Sequence, residues 1–280
     1  MTTDSENITA VTPAQHLEEV LASYDENSNP RLVEIMRAAT RHLHAFVEET
    51  GITRDEWFEG IKWLTAVGQK CDDVRQEFIL LSDTLGVSML VEMINQDAAE
   101  GTTEPTVFGP FHMDGAKERE LGSSLIDNPM DEGEELVVSG TVRNLDGEPI
   151  PGAVVDVWQT AANGNYSMQE PEGQDINNAR GIFHADEEGR FEFTTDRPVK
   201  YQIPGDGPVG EMLDATGRHN WRPAHIHFMI TAPGYKDVIT HLFDSESDFL
   251  DTDAVFGVRK SLVVEMTGGR TSYDFVLEPV

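Results

Sequence analysis

Up to Asn95 the apolar residues of this chain recur at three- and four-residue spacing, and from Leu136 onward they fall into short runs rich in β-branched residues. One layer of structure cannot satisfy both periods, because a helix collects its apolar stripe about every 3.6 residues and a strand every second residue. The chain is therefore expected to be helical first and β afterwards. Helical patterning starts near Pro13 with Leu17, Val20 and Leu21, and a second helix follows Asn29-Pro30, carrying Leu32, Ile35, Met36, Ala39, Leu43 and Phe46 until Gly51 ends it. Thr53-Arg54-Asp55-Glu56 has the form of a capping box and opens a helix with Trp57, Ile61 and Leu64 on one face. Two more helical runs are expected over roughly Asp72 to Leu81 and Thr84 to Asn95.

After Asp97 the pattern changes, and the glycine-rich, acidic passage through Gly133 reads as a linker and first loops. Strands are expected at 136–142 and 153–158, joined through the turn Asn144-Leu145-Asp146-Gly147, and then at 190–194, 199–203, 225–231, 238–243, 261–265 and 272–277. A β-sandwich is the natural architecture for such runs. The expected division is a flexible tail over 1–11, a helical domain over 12–97 and a β-sandwich domain over 98–280.

Composition narrows the function. With 51 acidic against 20 basic residues the formal net charge is -31, which disfavours nucleic acid or an anionic membrane as partner. No apolar run approaches membrane-spanning length, and Met1 to Ala10 lacks the basic start and apolar core of a signal peptide, so a cytoplasmic location is expected. The lone Cys71 allows no internal disulfide and no cysteine-based zinc site, so any metal must sit among nitrogen and oxygen ligands.

Such a set is offered by Arg222-Pro223-Ala224-His225-Ile226-His227-Phe228. On a strand, His225 and His227 project from one face and form a bidentate clamp. The run His42-Leu43-His44 lies on an expected helix, where its two rings point about 200° apart, and is no clamp.

These residues, together with Asp156-Val157-Trp158-Gln159, Asn165-Tyr166 and Tyr201-Gln202-Ile203-Pro204, resemble the intradiol aromatic-ring-cleaving dioxygenases, catechol 1,2-dioxygenase and its relatives. The likeness extends to Arg75–Leu90, similar to the helical domain of the catechol and hydroxyquinol branches. It implies a transthyretin-like β-sandwich catalytic domain preceded by a helical dimerisation domain, a homodimer, and room for a lipid in an apolar tunnel. It also implies a non-haem Fe(III) centre ligated by Tyr166, Tyr201, His225 and His227. Phenolates suit ferric iron, and a tyrosine of ordinary pKa near ~10 is deprotonated there only because the metal's charge stabilises the anion. The implied reaction is cleavage by O2 of a ring bearing adjacent hydroxyls, in which Tyr201 takes up a substrate proton and Arg222 stabilises the electron-rich ring.

Thr106-Val107-Phe108-Gly109-Pro110-Phe111-His112 is similar to the hydroxyquinol branch, and the resemblance places Leu80, Asp83, Val107, Phe108, Gly109, Pro110, Phe111, Ile203, Pro204 and Arg222 around the ring. Asp83 would accept a hydrogen bond from a third hydroxyl; its other use would be as N-cap of a helix from Thr84. His241 stands where catechol enzymes carry glutamine, and would orient hydroxide or oxygen without ligating the metal. Catechol or chlorocatechol cleavage is the alternative within the family. A ferrous cupin also uses His-x-His, but it would add a glutamate that Met229 to Thr231 does not provide. A sandwich serving recognition alone is the alternative from another class.

Lysine is confined to positions 62, 70, 117, 200, 236 and 260, and an acidic, lysine-poor surface repels itself unless salt screens it. The melting temperature is therefore expected to rise from low to molar salt, and a flat or falling dependence in a salt series would contradict this.

Overall fold

The computed structural model describes residues 11–25, 29–72, 75–95, 99–130, 132–169 and 172–280. Nearly all of the expected tail and the expected junction at Asp97 lie outside them. The chain divides into two compact units, residues 1–64 and 65–280.

The first unit holds α1 (Pro13–Ala22), α2 (Pro30–Thr50) and most of α3 (Arg54–Gln69). Each start is satisfied by a side chain. The Thr12 hydroxyl accepts from Gln15 N in a capping box, the Asn29 side chain accepts from Leu32 N, and Thr53 and Glu56 exchange the reciprocal bonds read from the sequence. Gly51 closes α2 in the left-handed conformation. α1 packs on α2, with Tyr24 Oη 2.8 Å from Thr40 Oγ1. Much of the apolar face of α2 and α3 stays exposed: Leu32, Ile35, Leu43, Phe46, Trp57 and Ile61.

The second unit contains α4 (Glu77–Thr84), α5 (Val87–Asn95), α6 (Pro208–Ala215) and the strands. Helix α4 starts later than expected, because Asp72 accepts from Arg75 N and holds a local turn there. Asp83 lies inside α4 and α5 begins only at Val87, so the N-cap reading of Asp83 is wrong. No described helix is long and apolar enough to cross a membrane.

One sheet is built on β1 (Glu135–Asn144), which pairs with β4 (Arg190–Asp196) antiparallel and with β10 (Arg270–Ser272) and β11 (Phe275–Leu277) in parallel. The other runs in the order β3 (Arg180–His184), β2 (Val154–Trp158), β7 (His225–Thr231), β8 (Val238–Asp244), β9 (Val263–Val264). A two-stranded ribbon joins β5 (Tyr201–Gln202) to β6 (Trp221–Arg222). Between the two main sheets lies the core, where Val138 and Val142 of β1, Phe191 and Phe193 of β4, and Phe275 and Leu277 of β11 meet Val155 and Val157 of β2 and Ile226, Phe228 and Ile230 of β7.

Three departures from the sequence reading have local causes. The strand expected over 199–203 shrinks to two residues, since only Tyr201 and Gln202 find partners in β6. β3 and α6 were not anticipated: α6 opens on Gly207-Pro208, a dipeptide that reads as a loop but also suits the first helical turn. The strand expected over 272–277 is broken at Tyr273-Asp274. There Tyr273 N donates to Ser139 O, and the Tyr273 carbonyl lies close against Gly140, so the ladder along this edge of β1 is interrupted between β10 and β11.

A Cβ at Gly140 would collide with that carbonyl and with the Phe191 ring. Gly140→Ala is expected to cost roughly 2–4 kcal/mol, read as a lower denaturation midpoint in urea.

Candidate metal centre

The alternation of β7 sends Ile226, Phe228 and Ile230 into the core, which turns His225 and His227 to the opposite face. The same alternation in β2 and β8 places Trp158 and His241 on that face, and the register sets Trp158 opposite His227 and His227 opposite His241. The rings form a continuous row. Trp158 stacks on His227 at 4.7 Å and 19°, while His241 meets His227 edge-on at 4.1 Å and lies nearly parallel to His225 at 4.7 Å.

Two tyrosines close over the row. Tyr201 arrives on the β5–β6 ribbon opposite Arg222, and Tyr166 sits before a single helical turn, its N–H donating to Gln169 Oε1. Tyr166 Oη lies 2.9 Å from His227 Nε2 and 3.4 Å from Tyr201 Oη. His225 Nε2 is 3.2 Å from His227 Nε2, and Arg222 Nη1 reaches both His225 Nε2 at 3.2 Å and Tyr201 Oη at 3.3 Å. All six of these side chains, His241 included, are buried.

The protonation pattern follows from the partners. Pro223 O can only accept, and it lies 2.7 Å from His225 Nδ1, so the proton sits on Nδ1 and Nε2 carries a lone pair into the cluster. Burial, followed by the Arg222 guanidinium, holds the His225 imidazole well below its usual range; burial and the neighbouring His225 do the same to His227. His241 is lowered by burial first and then by His227, and neither of its ring nitrogens has a well-aligned hydrogen-bond partner. Burial, with Tyr201 alongside, pushes the Tyr166 phenol well above the usual value.

Of the residues expected around the ring, Leu80, Pro110, Phe111 and Pro204 line a single cavity of about 310 Å³ together with Met168 and Gln169. Phe111 stacks on Tyr166 at 4.4 Å, which sets the cavity wall directly against the cluster. Gly109 packs its backbone against the His227 ring, and Ile203 and Val107 are buried. Phe108 is partly exposed and leans on Trp158 and His112 without lining that cavity. Asp83 is 4% exposed; burial raises its pKa, while a hydrogen bond from Ser88 and the charge of Arg222 pull the other way.

Other residues at the site carry no signal in the sequence beyond a place in a motif. His112 and Asp156 form a buried pair at 3.0 Å beneath Trp158. Asp253 holds Arg222 through two contacts, at 3.0 and 3.3 Å. It follows Asp248 and Asp251 in a strongly acidic chain, where no spacing distinguishes one carboxylate from the next.

Two family models cover most of the chain, one described as Catechol dioxygenase N terminus over residues 29–103 and one described as Dioxygenase over residues 107–279. The chain belongs to the intradiol ring-cleavage dioxygenases. This dioxygenase is similar to the 6-chlorohydroxyquinol 1,2-dioxygenase of Cupriavidus pinatubonensis, 51% identical over 265 residues that span 93% of this chain and 95% of the relative. It is also similar to the hydroxyquinol 1,2-dioxygenase of a Rhizobium species, at 45% identity over 89% of this chain and 83% of the relative. Among solved structures, the hydroxyquinol 1,2-dioxygenase of Pseudomonas putida superposes with a TM-score of 0.89 at 49% identity, covering 96% of this chain and 99% of that one.

Membership implies non-haem iron, and the side chains of this dioxygenase fit it. The lone pair on His225 Nε2, His227 Nε2 and two phenol oxygens converge in a buried space, and groups of that kind crowd together favourably when a cation lies among them. His227 Nδ1 and both nitrogens of His241 are buried without well-aligned partners, and the nitrogens of His225, His227 and His241 that face one another lie within 4.8 Å.

Gly109 has φ +77°, and a Cβ there would stand 3.3 Å from His227 Cε1. Gly109→Ala is expected to destabilise the protein by about 1–2 kcal/mol through backbone strain and to displace the His227 ring. A urea titration and the iron content of the purified variant check both effects.

Proposed function

We propose that this dioxygenase cleaves hydroxyquinol (benzene-1,2,4-triol) between its adjacent hydroxyls with O2, giving 3-hydroxy-cis,cis-muconate, the tautomer of maleylacetate, in the catabolism of aromatic compounds. The observation that carries the chemistry is the convergence of Tyr166, Tyr201, His225 and His227 within hydrogen-bonding distance of one another. These four would hold Fe(III), which when bound supplies Lewis acidity toward the diol and a route for electrons between ring and oxygen.

The protein's own residues then have distinct work. Tyr201 Oη, beside the Arg222 guanidinium, accepts a proton from the incoming diol. Arg222 Nη1 presents positive charge to the electron-rich ring in a site that excludes water, where such charge acts most strongly. His241, with no well-aligned partner on either nitrogen, orients hydroxide or dioxygen beside His225 and His227. Phe111, Leu80, Pro110 and Pro204 give the ring apolar walls.

Hydroxyquinol is favoured over catechol by Asp83. Ser88 gives this buried carboxylate one donor, and a third ring hydroxyl would supply another to its remaining lone pairs, which catechol cannot do. The names carried by the relatives agree with that choice. The helical domain over 12–97 serves dimerisation, supported by the exposed Leu32, Ile35, Leu43, Phe46, Trp57 and Ile61. A cavity of about 630 Å³ lined by Val11, Pro13, Leu43 and Val47 leaves room there for a lipid chain. The working location is the cytoplasm.

Oxygen uptake by the iron-loaded protein, measured separately with hydroxyquinol and catechol and followed by product identification, tests the reading. Hydroxyquinol is expected to be turned over on the order of 100-fold more efficiently, and Asp83→Ala to bring the two within about tenfold. Catechol as the better substrate would keep the chemistry and refute the role of Asp83. Absence of uptake with both would refute the function.

A further inference from the structure

Arg222 is a buried cation whose charge would be intolerable alone. Its side chain is divided between two sets of partners. Nε and Nη2 face Asp253 at 3.0 and 3.3 Å, and Nη1 faces Tyr201 Oη and His225 Nε2. Burial works against the guanidinium charge, and Asp253 together with the Tyr201 and Tyr166 oxygens outweighs it, so Arg222 is held above its ordinary pKa.

Asp253 is in turn fixed by its own loop. Its carboxylate accepts from Val255 N at 3.3 Å and from Gly257 N at 2.9 Å. Between those two N–H groups lies Phe256 at φ +60°, a left-handed conformation that a bulky residue adopts only under constraint. That conformation turns the Gly257 N–H back toward Asp253. The loop is clamped from outside by Arg218, which donates to Ala254 O and lies 5.2 Å over the Phe256 ring. Gly257 fits against both members of the ion pair, since a Cβ there would stand 3.2 Å from Arg222 Nη2 and 3.2 Å from Asp253 Oδ2. Backbone strain, two backbone donors and a cation over a ring all converge on one carboxylate that touches neither the cavity nor the four donor atoms.

We infer that Asp253 is a positioning residue for ring cleavage: its carboxylate fixes the rotation of the Arg222 guanidinium so that Nη1 alone reaches the Tyr201 and His225 atoms. This rests on the role proposed above for Arg222. A monodentate or charge-free partner would let the guanidinium turn, and a planar fork that turns no longer presents a single N–H to a fixed point.

The test uses the full chain, iron-loaded, as wild type, Arg222→Met, Asp253→Asn and the double variant. Asp253→Asn is expected to lower kcat for hydroxyquinol on the order of 100-fold with KM unchanged, the signature of a misplaced group that acts in the transition state. It is also expected to shift the visible tyrosinate-to-iron band of the resting enzyme through Tyr201, an effect that a merely structural aspartate would not have. Since Asp253 acts through Arg222, the double variant should be no slower than Arg222→Met. A further loss in the double variant, or wild-type kcat and band in Asp253→Asn, would overturn the inference. The metal-free proteins give a second reading: the double variant should melt above Asp253→Asn, because it no longer leaves a buried cation unpaired, and additive losses in melting temperature would count against the pairing. Should Asp253→Asn fail to fold, the comparison of Arg222→Met with the double variant still decides, equal turnover and band supporting the inference and a further loss refuting it. Wild-type turnover in Arg222→Met would refute the role of Arg222 itself. An impaired Arg222→Met beside an unimpaired Asp253→Asn would refute the positioning role alone.

Discussion

A lone pair on His225 Nε2 stands 3.2 Å from His227 Nε2, and a phenol oxygen stands 2.9 Å from the second nitrogen, all shielded from water. Groups rich in lone pairs do not crowd together in a low-dielectric interior unless protons are shared between them or positive charge lies among them. That requirement for positive charge organises the second unit. One part is met by Arg222, which is paired with Asp253; the other would be met by the non-haem iron that membership of the family implies. The pattern of partners around the cluster follows from it. Pro223 O takes the proton side of His225, Trp158 offers the face of a ring to His227, and the polar atoms left over point toward one another.

The fold delivers these atoms with one simple device. Strand alternation on β2, β7 and β8 puts every second residue into the sandwich core, and the intervening residues line up as Trp158, His227 and His241 across three neighbouring strands. The scaffold and the site are thus opposite faces of one sheet. A packing change at Ile226 or Phe228 on the core side would tilt the strand that carries both imidazoles.

How far the sequence could be read follows from this device. His225 and His227 were legible because alternation needs only a strand, and the strand announced itself through Ile226, Phe228 and Ile230. Helix caps at Asn29, Thr53 and Gly51 were legible because capping is local chemistry. The α6 helix was hidden by Gly207, Pro208 and Gly210, which carry loop statistics although Gly210 is there for close packing on the Gly205 backbone. Asp83 was read both as a cap and as a pocket residue, and only the observed span of α4 removes the first. Asp253 could not be found at all, since its partner is brought to it by the return of the chain and its neighbours in sequence are equally acidic.

The close approach at Gly140 bears on how the chain reaches this state. β1 holds β10 and β11 in parallel on either side of Gly140, with Val137 paired to Arg270 and Val142 to Phe275. The earliest strand of the sandwich therefore completes its sheet only with some of the latest residues, and closing so long a loop is slow compared with forming a helix or a hairpin. During synthesis β4 and the strands of the opposing sheet emerge in time to cover part of Leu136, Val138 and Val142, but the edge of β1 that takes β10 and β11 stays open until residues 270–277 arrive. Assembly of the sandwich is thus governed from its C-terminal end, and the imidazole row can become rigid only as the opposing sheet closes behind it.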